Sequence, residues 1–254
     1  MSNRPFDALL IHGAGGGGWE WRLWRHVLEA RGHRVHTPDM HAAAGGIAAT
    51  VYADYAQQVR RELARLPRPR VLVGASLGGL LALDAADAAD ALVLVNPLPP
   101  APWHAQLPAR SWPDVVPWGA NARLSSTRRA LADADEVTAI EAMRYWRDES
   151  GAVLRAAHAG LHLSRPTVPT LCIVSQADDD VPPALTRAMA DAWEIELLAS
   201  ASTTHVGPLL GAAAAQTARQ ASDWLQHQLS TGLRTDPGRA RASGGSDTEI
   251  ASRI

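Results

Sequence analysis

The chain has 254 residues, of which 46% are hydrophobic and 20% are charged, a composition typical of a globular protein with one sizeable core. The formal net charge of −2 excludes the strongly basic surface that a nucleic-acid-binding protein needs. One cysteine, Cys172, is too few for a disulfide or a cysteine-based zinc site, and the lack of lysine excludes Schiff-base catalysis and a P-loop.

Short apolar segments recur along the chain and alternate with longer segments of helical spacing. Six of the apolar segments predict strands: DALLIHG, HRVHTPD, RVLVGAS, ALVLVNP, TLCIVSQ and EIELLAS. Five other segments predict helices, near Trp19–Arg31, Ala48–Leu66, Leu77–Ala86, Pro183–Trp193 and Ala212–Leu229. Continuous apolar runs are typical of parallel strands that are buried on both faces. The alternation therefore predicts a doubly wound, mostly parallel α/β sheet.

A glycine-rich loop follows the first predicted strand. The spacing Gly13-x-Gly15-x-x-Gly18 matches a dinucleotide-binding fingerprint, and Asp39 follows at about the distance expected of a ribose-binding acid. A dinucleotide-dependent oxidoreductase that uses the Gly13–Gly18 loop is therefore one alternative function. A loop with this many glycines satisfies several spacings, however, and the fingerprint leaves the motifs further along the chain unexplained.

The third predicted strand runs into the pentapeptide Gly74-Ala75-Ser76-Leu77-Gly78, which matches G-x-S-x-G between a strand and a helix. The two flanking glycines permit a sharp turn, so we expect the hydroxyl of Ser76 to project from the carboxyl edge of the sheet. The N-terminus of the following helix favours negative charge at the same place. The motif therefore predicts that Ser76 is a nucleophile, and the alternative is an ordinary strand–helix turn.

A serine nucleophile needs a base, and the last predicted strands are followed by suitable residues. His205 follows the last strand, whereas Asp178, Asp179 and Asp180 follow the strand before it. The strand ALVLV is followed by Asn96, which offers no carboxylate. The order serine, aspartate, histidine is that of hydrolases built on a G-x-S-x-G turn, with the acid orienting the imidazole. From position alone, any of the three aspartates can be that acid.

Two segments interrupt the alternation of strands and helices. Residues 97–165 separate two predicted strands by roughly 70 residues, and a connection of that length is expected to have structure of its own. We interpret it as a mostly helical cap over the pocket. Four tryptophans in it are candidate substrate-binding residues: Trp103, Trp112, Trp118 and Trp146. Residues 231–254 are polar and rich in glycine, serine and arginine, which predicts a disordered tail.

These motifs resemble those of the α/β-hydrolase fold family, over about residues 5–230. Members commonly carry HGxxG after an early strand, which His12-Gly13-Ala14-Gly15-Gly16 matches, and an acid in GxxDxxVP, which here reads SQADDDVP. The chain has Ser175 in place of the leading glycine and Ala75 where the family often has histidine. The segment HGAGGGGWEWRLWRHVLEARGHRVHTPDM is similar to the plant-type methylesterase and hydroxynitrile lyase branch.

The resemblance implies roles for individual residues. It selects Asp178 as the acid of the catalytic triad, together with Ser76 and His205. It implies that the backbone N–H groups of Ala14 and Leu77 form the oxyanion hole. We expect His12 to brace the glycine loop rather than to take part in the chemistry.

The resemblance also implies the organisation and the activity. Residues 1–96 and 166–230 are expected to form the hydrolase core, with residues 97–165 inserted as the cap. The implied activity is cleavage of a small ester, thioester or amide through an acyl-enzyme on Ser76, with neither cofactor nor metal. Hydroxynitrile lyases of this branch rely on a cap lysine, which this chain lacks. A non-catalytic ligand receptor on the same scaffold is the other alternative function.

The expected partner is a small molecule rather than a nucleic acid or a membrane. The cap tryptophans favour an apolar or aromatic ester. The first apolar run is too short for a signal peptide, and none is long enough to span a bilayer, so a cytoplasmic location is the expectation.

Overall fold

The computed structural model describes residues 5–232 of the chain. Within them, eight strands are present: β1 (Asp7–Ile11), β2 (Arg34–His36), β3 (Arg70–Ala75), β4 (Ala91–Val95), β5 (Val115–Val116), β6 (Glu149–Ser150), β7 (Thr170–Val174) and β8 (Glu196–Ala199). Six of them form one sheet in the order β2-β1-β3-β4-β7-β8, and every neighbouring pair is parallel. The predicted doubly wound α/β sheet is confirmed.

The same residues contain nine α-helices, most of them on the two faces of this sheet. They are α1 (Arg22–Ala30), α2 (Tyr52–Ala64), α3 (Leu77–Asp84), α4 (Leu124–Ala130), α5 (Glu136–Tyr145), α6 (Gly151–Ala159), α7 (Pro183–Ala192), α8 (Gly207–Leu210) and α9 (Ala214–Gly232). Short 3₁₀ turns lie at Gly18–Trp21, Ile47–Ala49, Ala86–Ala88 and Trp103–Gln106. No helix within residues 5–232 has the length and apolarity needed to cross a membrane.

The strands are uniformly apolar because both faces of the sheet are covered. Every residue of β1, β4 and β7 is buried. One apolar layer joins the sheet to α2 and α3, and the other joins it to α1 and α9. Successive side chains of a strand point to opposite faces, so Leu9 packs in the first layer and Leu10 in the second.

The register of the sheet brings the loops after its strands to one edge. Ile11 pairs with Gly74, and Ala75 pairs with Val95. Val95 in turn pairs with Ile173 in β7. Because the strands are parallel, the residues that follow them meet at the same carboxyl edge, which is where α/β sheets bind ligands.

The segment between β4 and β7 contains α4, α5 and α6, in agreement with the helical cap that the sequence predicts. It also contains a small antiparallel sheet of β5 and β6, which sequence patterning did not predict. At the other end, α9 continues to Gly232, so the first two residues of the predicted tail are helical. Residues 233–254 of that tail lie outside the described residues.

Candidate active site

Ser76 lies in a strained turn between β3 and α3. Its φ of 54° and ψ of −120° are rare for a residue with a side chain, and such strain is commonly found at functional sites. The turn also needs glycine at position 78, because a Cβ there would lie 2.3 Å from the carbonyl oxygen of Ile11. The N–H of Ser76 donates to the carbonyl of Val95 at 3.0 Å, which holds the turn against β4.

His205 and Asp178 meet at the same edge of the sheet. Nδ1 of His205 lies 2.6 Å from Oδ2 of Asp178, whose side chain is fully buried. The other carboxylate oxygen of Asp178 accepts from the backbone N–H groups of Asp180 at 2.8 Å and Val181 at 3.0 Å. Of the three aspartates, Asp178 is hydrogen-bonded to His205, and it is also the one that the family spacing selects.

Ser76 and His205 line a common cavity. Within residues 5–232, the Ser76 hydroxyl has no hydrogen bond within 3.5 Å, so the serine–histidine contact is open in this structure. Catalytic hydrogen bonds are often long in the absence of substrate and tighten when it binds. The backbone N–H groups of Ala14 and Leu77 are also free of acceptors in this part of the chain, as donors for a developing oxyanion must be.

The electrostatic environment favours the protonated form of His205. Burial alone lowers the pKa of the imidazole, but the charge of Asp178 and its hydrogen bond raise it. Asp180 and Glu20 add to the rise, and the net pKa of His205 is above its ordinary value. A histidine in this state is a stronger base for the serine proton.

His12 holds the glycine loop in place through hydrogen bonds of both ring nitrogens. Its Nε2 accepts from the N–H of Met40 at 2.9 Å, and its Nδ1 lies 2.8 Å from the carbonyl of Gly13. Burial lowers the pKa of His12 to about 4, so the ring is neutral at pH 7 and donates from Nδ1. These bonds join the end of β1 to the loop that follows β2.

Two cap residues that the sequence did not single out also hold the glycine loop. The backbone N–H of Arg147 donates to the carbonyl of Gly15 at 2.7 Å, and its Nε donates to the carbonyl of Gly16 at 2.6 Å. The buried Glu149 accepts from the N–H of Gly15 at 3.0 Å and from the hydroxyl of Tyr55 at 2.9 Å. We call Arg147 and Glu149 the loop clamp. No local sequence signal identifies it, since its partners lie more than 90 residues away.

Asn96 and Asp133 hold the loop that carries His205. The side-chain amide of Asn96 donates to the carbonyl of His205 at 2.7 Å and to the hydroxyl of Ser175 at 2.8 Å. Asp133, from the cap, accepts from the hydroxyl of Thr204 at 2.7 Å. The position of Asn96 directly after a buried strand is a signal that sequence reasoning could have used, because polar residues there face the ligand edge.

The cavity has a volume of about 340 Å³ and lies between the edge of the sheet and the cap. Its apolar wall includes Leu98, Trp112, Trp118, Trp146, Leu154 and Leu209. Three of the four predicted tryptophans are thus brought together there. Trp103 lies apart from the cavity and packs edge-to-face on Trp193 at 5.0 Å between ring centroids.

Three aspartates near the cavity or the glycine loop, Asp178, Asp180 and Asp39, have partners within the protein. Asp178, Asp180 and His205 bring ligand atoms within 4.8 Å of one another, a spacing that a metal could use. Asp178 is bonded to His205, however, and Asp180 pairs with Arg110 at 2.6 Å. Asp39, the acid of the dinucleotide fingerprint, accepts from the N–H of Gly18 at 2.7 Å and so ties the glycine loop to the segment after β2.

Comparisons with known proteins agree with this architecture. The model of the alpha/beta hydrolase family matches residues 8–220. A pimeloyl-(acyl-carrier protein) methyl ester esterase of Aliivibrio fischeri is 39% identical over 80 residues, which are 32% of this chain and 30% of that protein. Methylesterase 2 of Arabidopsis thaliana is 39% identical over 88 residues, 30% of this chain and 33% of that protein. The chain thus spans about a third of the length of the curated relatives it matches.

Among solved structures, polyneuridine aldehyde esterase has a similar fold. The TM-score is 0.68 over 88% of this chain and 99% of that chain, with 17% sequence identity. At this identity the likeness shows a shared fold.

Proposed function

This chain belongs to the alpha/beta hydrolase family, and from that membership we propose that it is a serine esterase with Ser76, His205 and Asp178 as its catalytic triad. The observation that carries the proposal is the 2.6 Å contact of His205 with Asp178, in a cavity that the strained Ser76 also lines. A core histidine with a purely structural role has no need of a serine in that backbone conformation beside it.

The proposed reaction proceeds in two halves. Nε2 of His205 takes the proton of the Ser76 hydroxyl while Oγ attacks the carbonyl carbon of the ester. The tetrahedral intermediate collapses, the alkoxide leaves with the proton from His205, and an acyl-enzyme remains. Water, activated by His205, then attacks the acyl-enzyme and releases the carboxylic acid and free Ser76.

Charge in these steps is stabilised at two places. The N–H groups of Ala14 and Leu77 are proposed to bind the oxyanion, where one such donor typically contributes about 3 kcal/mol. The carboxylate of Asp178 stabilises the imidazolium that forms when His205 holds the proton. Because Asp178 is already fixed by two backbone donors, it does not reorganise as that charge appears.

The proposed substrate is a small ester with an apolar or aromatic part. The largely apolar cavity supports this, since it would enclose a small acyl or alcohol group and exclude water from the reaction. The relatives' names, methylesterase and methyl ester esterase, support an ester over an amide.

A fluorophosphonate probe and a p-nitrophenyl ester test the proposal together. The probe should label Ser76, as read by mass spectrometry of the digested protein. Ser76→Ala should lower kcat for p-nitrophenyl butyrate by about 10³-fold or more. A label elsewhere, or undiminished turnover by Ser76→Ala, would contradict Ser76 as the nucleophile. Failure of the wild type to hydrolyse any ester would instead favour a non-catalytic receptor.

Asp179, the residue after Asp178, provides a matched control for the proposed catalytic acid. Asp178→Asn should lower kcat by about 10³- to 10⁴-fold, because His205 loses the group that fixes its tautomer. Asp179→Asn, an exposed change in the same loop, should stay within about threefold of wild type, as surface substitutions usually do. Equal losses from the two variants would count against Asp178 as the acid.

A further inference from the structure

Glu20 is a buried carboxyl group in the wall of the catalytic cavity, and the mechanism above does not use it. The residue is only 2% exposed and lies in the 3₁₀ turn after the glycine loop. Its Oε2 accepts from the N–H of Gly13 at 3.3 Å. Gly16 leaves room for the carboxyl group, since a Cβ at that position would lie 2.3 Å from Oε2.

No positive side chain is paired with this carboxyl group. Within residues 5–232 Glu20 has no ion pair, and its hydrogen bonds come from the backbone N–H groups of Gly13 and Gly17 in the glycine loop. Arg147 is the neighbouring cation, but its Nε donates to Gly16, its Nη2 lies 3.0 Å from His12, and its Nη1 lies 3.5 Å from Asp39. Arg110 faces the cavity and is paired with Asp180.

A carboxyl group without a paired cation is costly to bury in its charged form. Burial raises the pKa of Glu20 to about 8, against the opposing effects of the Gly13 N–H, His205, Arg147 and the Gly17 N–H. With no cation paired to it, the group is mostly neutral at pH 7, and a ligand that brings its own positive charge would stabilise the ionised form.

We propose that Glu20 determines substrate specificity by binding a positively charged ammonium group of the ester, a conclusion that rests on the esterase function proposed above. The Glu20 carboxylate, which lines the cavity, is the acceptor, and Arg110, the arginine in the described lining, is already paired with Asp180. The substrate class is then an ester whose acyl or alcohol part carries a protonated or quaternary amine.

The indole rings in the cavity that Glu20 lines favour a cation over a neutral hydrogen-bond donor. Trp118 packs on Gly15, the neighbour of Gly16, and Trp146 lines the same cavity. Indole faces attract ammonium groups, most strongly where water is excluded. Arg110 already lies over the Trp112 ring at 5.8 Å, so one such contact is present in this wall.

The charge of the ligand also matters for the chemistry. Gly13, which donates to Glu20, precedes Ala14, whose N–H is a proposed oxyanion donor. When an ammonium group binds and Glu20 ionises, the positive charge of the ligand offsets the negative charge that would otherwise oppose the oxyanion. An anionic substrate would meet Glu20 and Asp180 in the described wall of the cavity, where Arg110 is already paired with Asp180.

A pair of esters of equal shape tests the charge directly. Choline butyrate and 3,3-dimethylbutyl butyrate differ in a trimethylammonium and a tert-butyl group. For wild type, kcat/KM should favour the choline ester by about tenfold or more. In Glu20→Gln this ratio should fall by about tenfold. The control Glu29→Gln, an exposed residue of α1 paired with Arg25, should keep the wild-type ratio.

A binding measurement separates this proposal from the esterase proposal. Phenyltrimethylammonium and tert-butylbenzene are titrated into Ser76→Ala, with tryptophan fluorescence as the readout. The cation should bind more tightly than its neutral isostere, and Glu20→Gln added to Ser76→Ala should remove the difference. If no ester is hydrolysed but the cation still binds selectively, the esterase function fails and the ammonium site stands. A wild-type ratio near one, or equal binding of the two probes, overturns the ammonium site even if Glu20→Gln fails to fold.

Discussion

In the candidate site, backbone hydrogen bonds rather than residue type determine which aspartate contacts His205. Asp178 is flanked by two further aspartates, and the chain pattern alone does not distinguish them. The N–H groups of Asp180 and Val181 hold one oxygen of Asp178, which leaves the other for His205. These two N–H groups are available to Asp178 because the chain turns at Asp180 and Val181, ahead of α7. The family spacing contains that turn, which is why it selects the same residue.

The raised pKa of His205 predicts the acid limb of the pH profile. His205 must be neutral to accept the proton of Ser76, and Asp178 stabilises its protonated form. Activity should therefore be lost as the pH falls through a value above about 6.5, the ordinary histidine pKa. The measurement is kcat/KM for a neutral ester against pH, with one ionising group on the acid side.

The variant Asp178→Asn is the control for the direction of the pKa shift of His205. Asp178→Asn removes the charge that raises the pKa of His205, so its weaker residual activity should extend to lower pH than that of wild type. A profile that is flat between about pH 5 and 8 would argue against a histidine base. An acid limb that Asp178→Asn does not move would argue against Asp178 as the source of the shift.

At the scale of elements, the cap fixes the two loops that carry the proposed chemistry. Glu149 in β6 and the neighbouring Arg147 hold the glycine loop. Asp133, between α4 and α5, holds the loop of His205 through Thr204. The pairing of β5 with β6 sets the position of Glu149, which connects the small cap sheet to the glycine loop of the proposed oxyanion hole.

Loosening the clamp should slow the reaction without weakening substrate binding. The carboxylate of Glu149 accepts from the N–H of Gly15 and the hydroxyl of Tyr55. Glu149→Gln keeps the shape of the side chain but replaces this carboxylate with a neutral amide. A small displacement of Ala14 then costs about 10- to 100-fold in kcat. KM should change little, because the walls of the cavity stay in place. Steady-state kinetics on one ester give both constants.

Glu136→Gln in α5 is the matched control for the clamp. Glu136 is an exposed cap residue paired with Arg128, and an exposed pair of this kind contributes about 0–1 kcal/mol to stability. Its kcat should equal that of wild type. If Glu149→Gln lowered only the melting temperature, or raised KM and left kcat intact, the clamp would be structural and would not position the oxyanion donors.

The sequence predicts the core elements and points to the residues proposed to react, but it does not identify the supports around them. Strands such as β4 are continuous apolar runs, and Ser76 lies in a motif whose local spacing encodes the turn. Glu149 and Asp133 lie in a segment without strong periodicity. Their partners are 134 and 71 residues away, so only the folded chain brings them together. The two-residue strands β5 and β6 are too short to show alternation.

For the whole molecule, the cavity is an interface between two parts of the chain. The sheet edge supplies Ser76 and His205, and the cap supplies the indole rings of Trp112, Trp118 and Trp146. Chemistry and substrate selection are thus assigned to different segments. A change in the cap can alter which ester fits while the arrangement of His205 and Asp178 is preserved, provided that it spares the clamp.

We therefore expect alanine substitutions of two cap tryptophans, Trp118 and Trp103, to have different effects on substrate preference and stability. Trp118→Ala enlarges the cavity beside Gly15, so kcat/KM should shift toward longer acyl chains in a series of p-nitrophenyl esters from acetate to octanoate. Trp103→Ala removes the contact with Trp193, outside the cavity, and should cost roughly 2–4 kcal/mol of stability with the ranking of esters unchanged. Melting temperatures and the ester series are measured on both variants. If Trp118→Ala lost stability and kept the wild-type ranking, the tryptophans would serve packing alone, and selection would have to come from the polar groups of the wall.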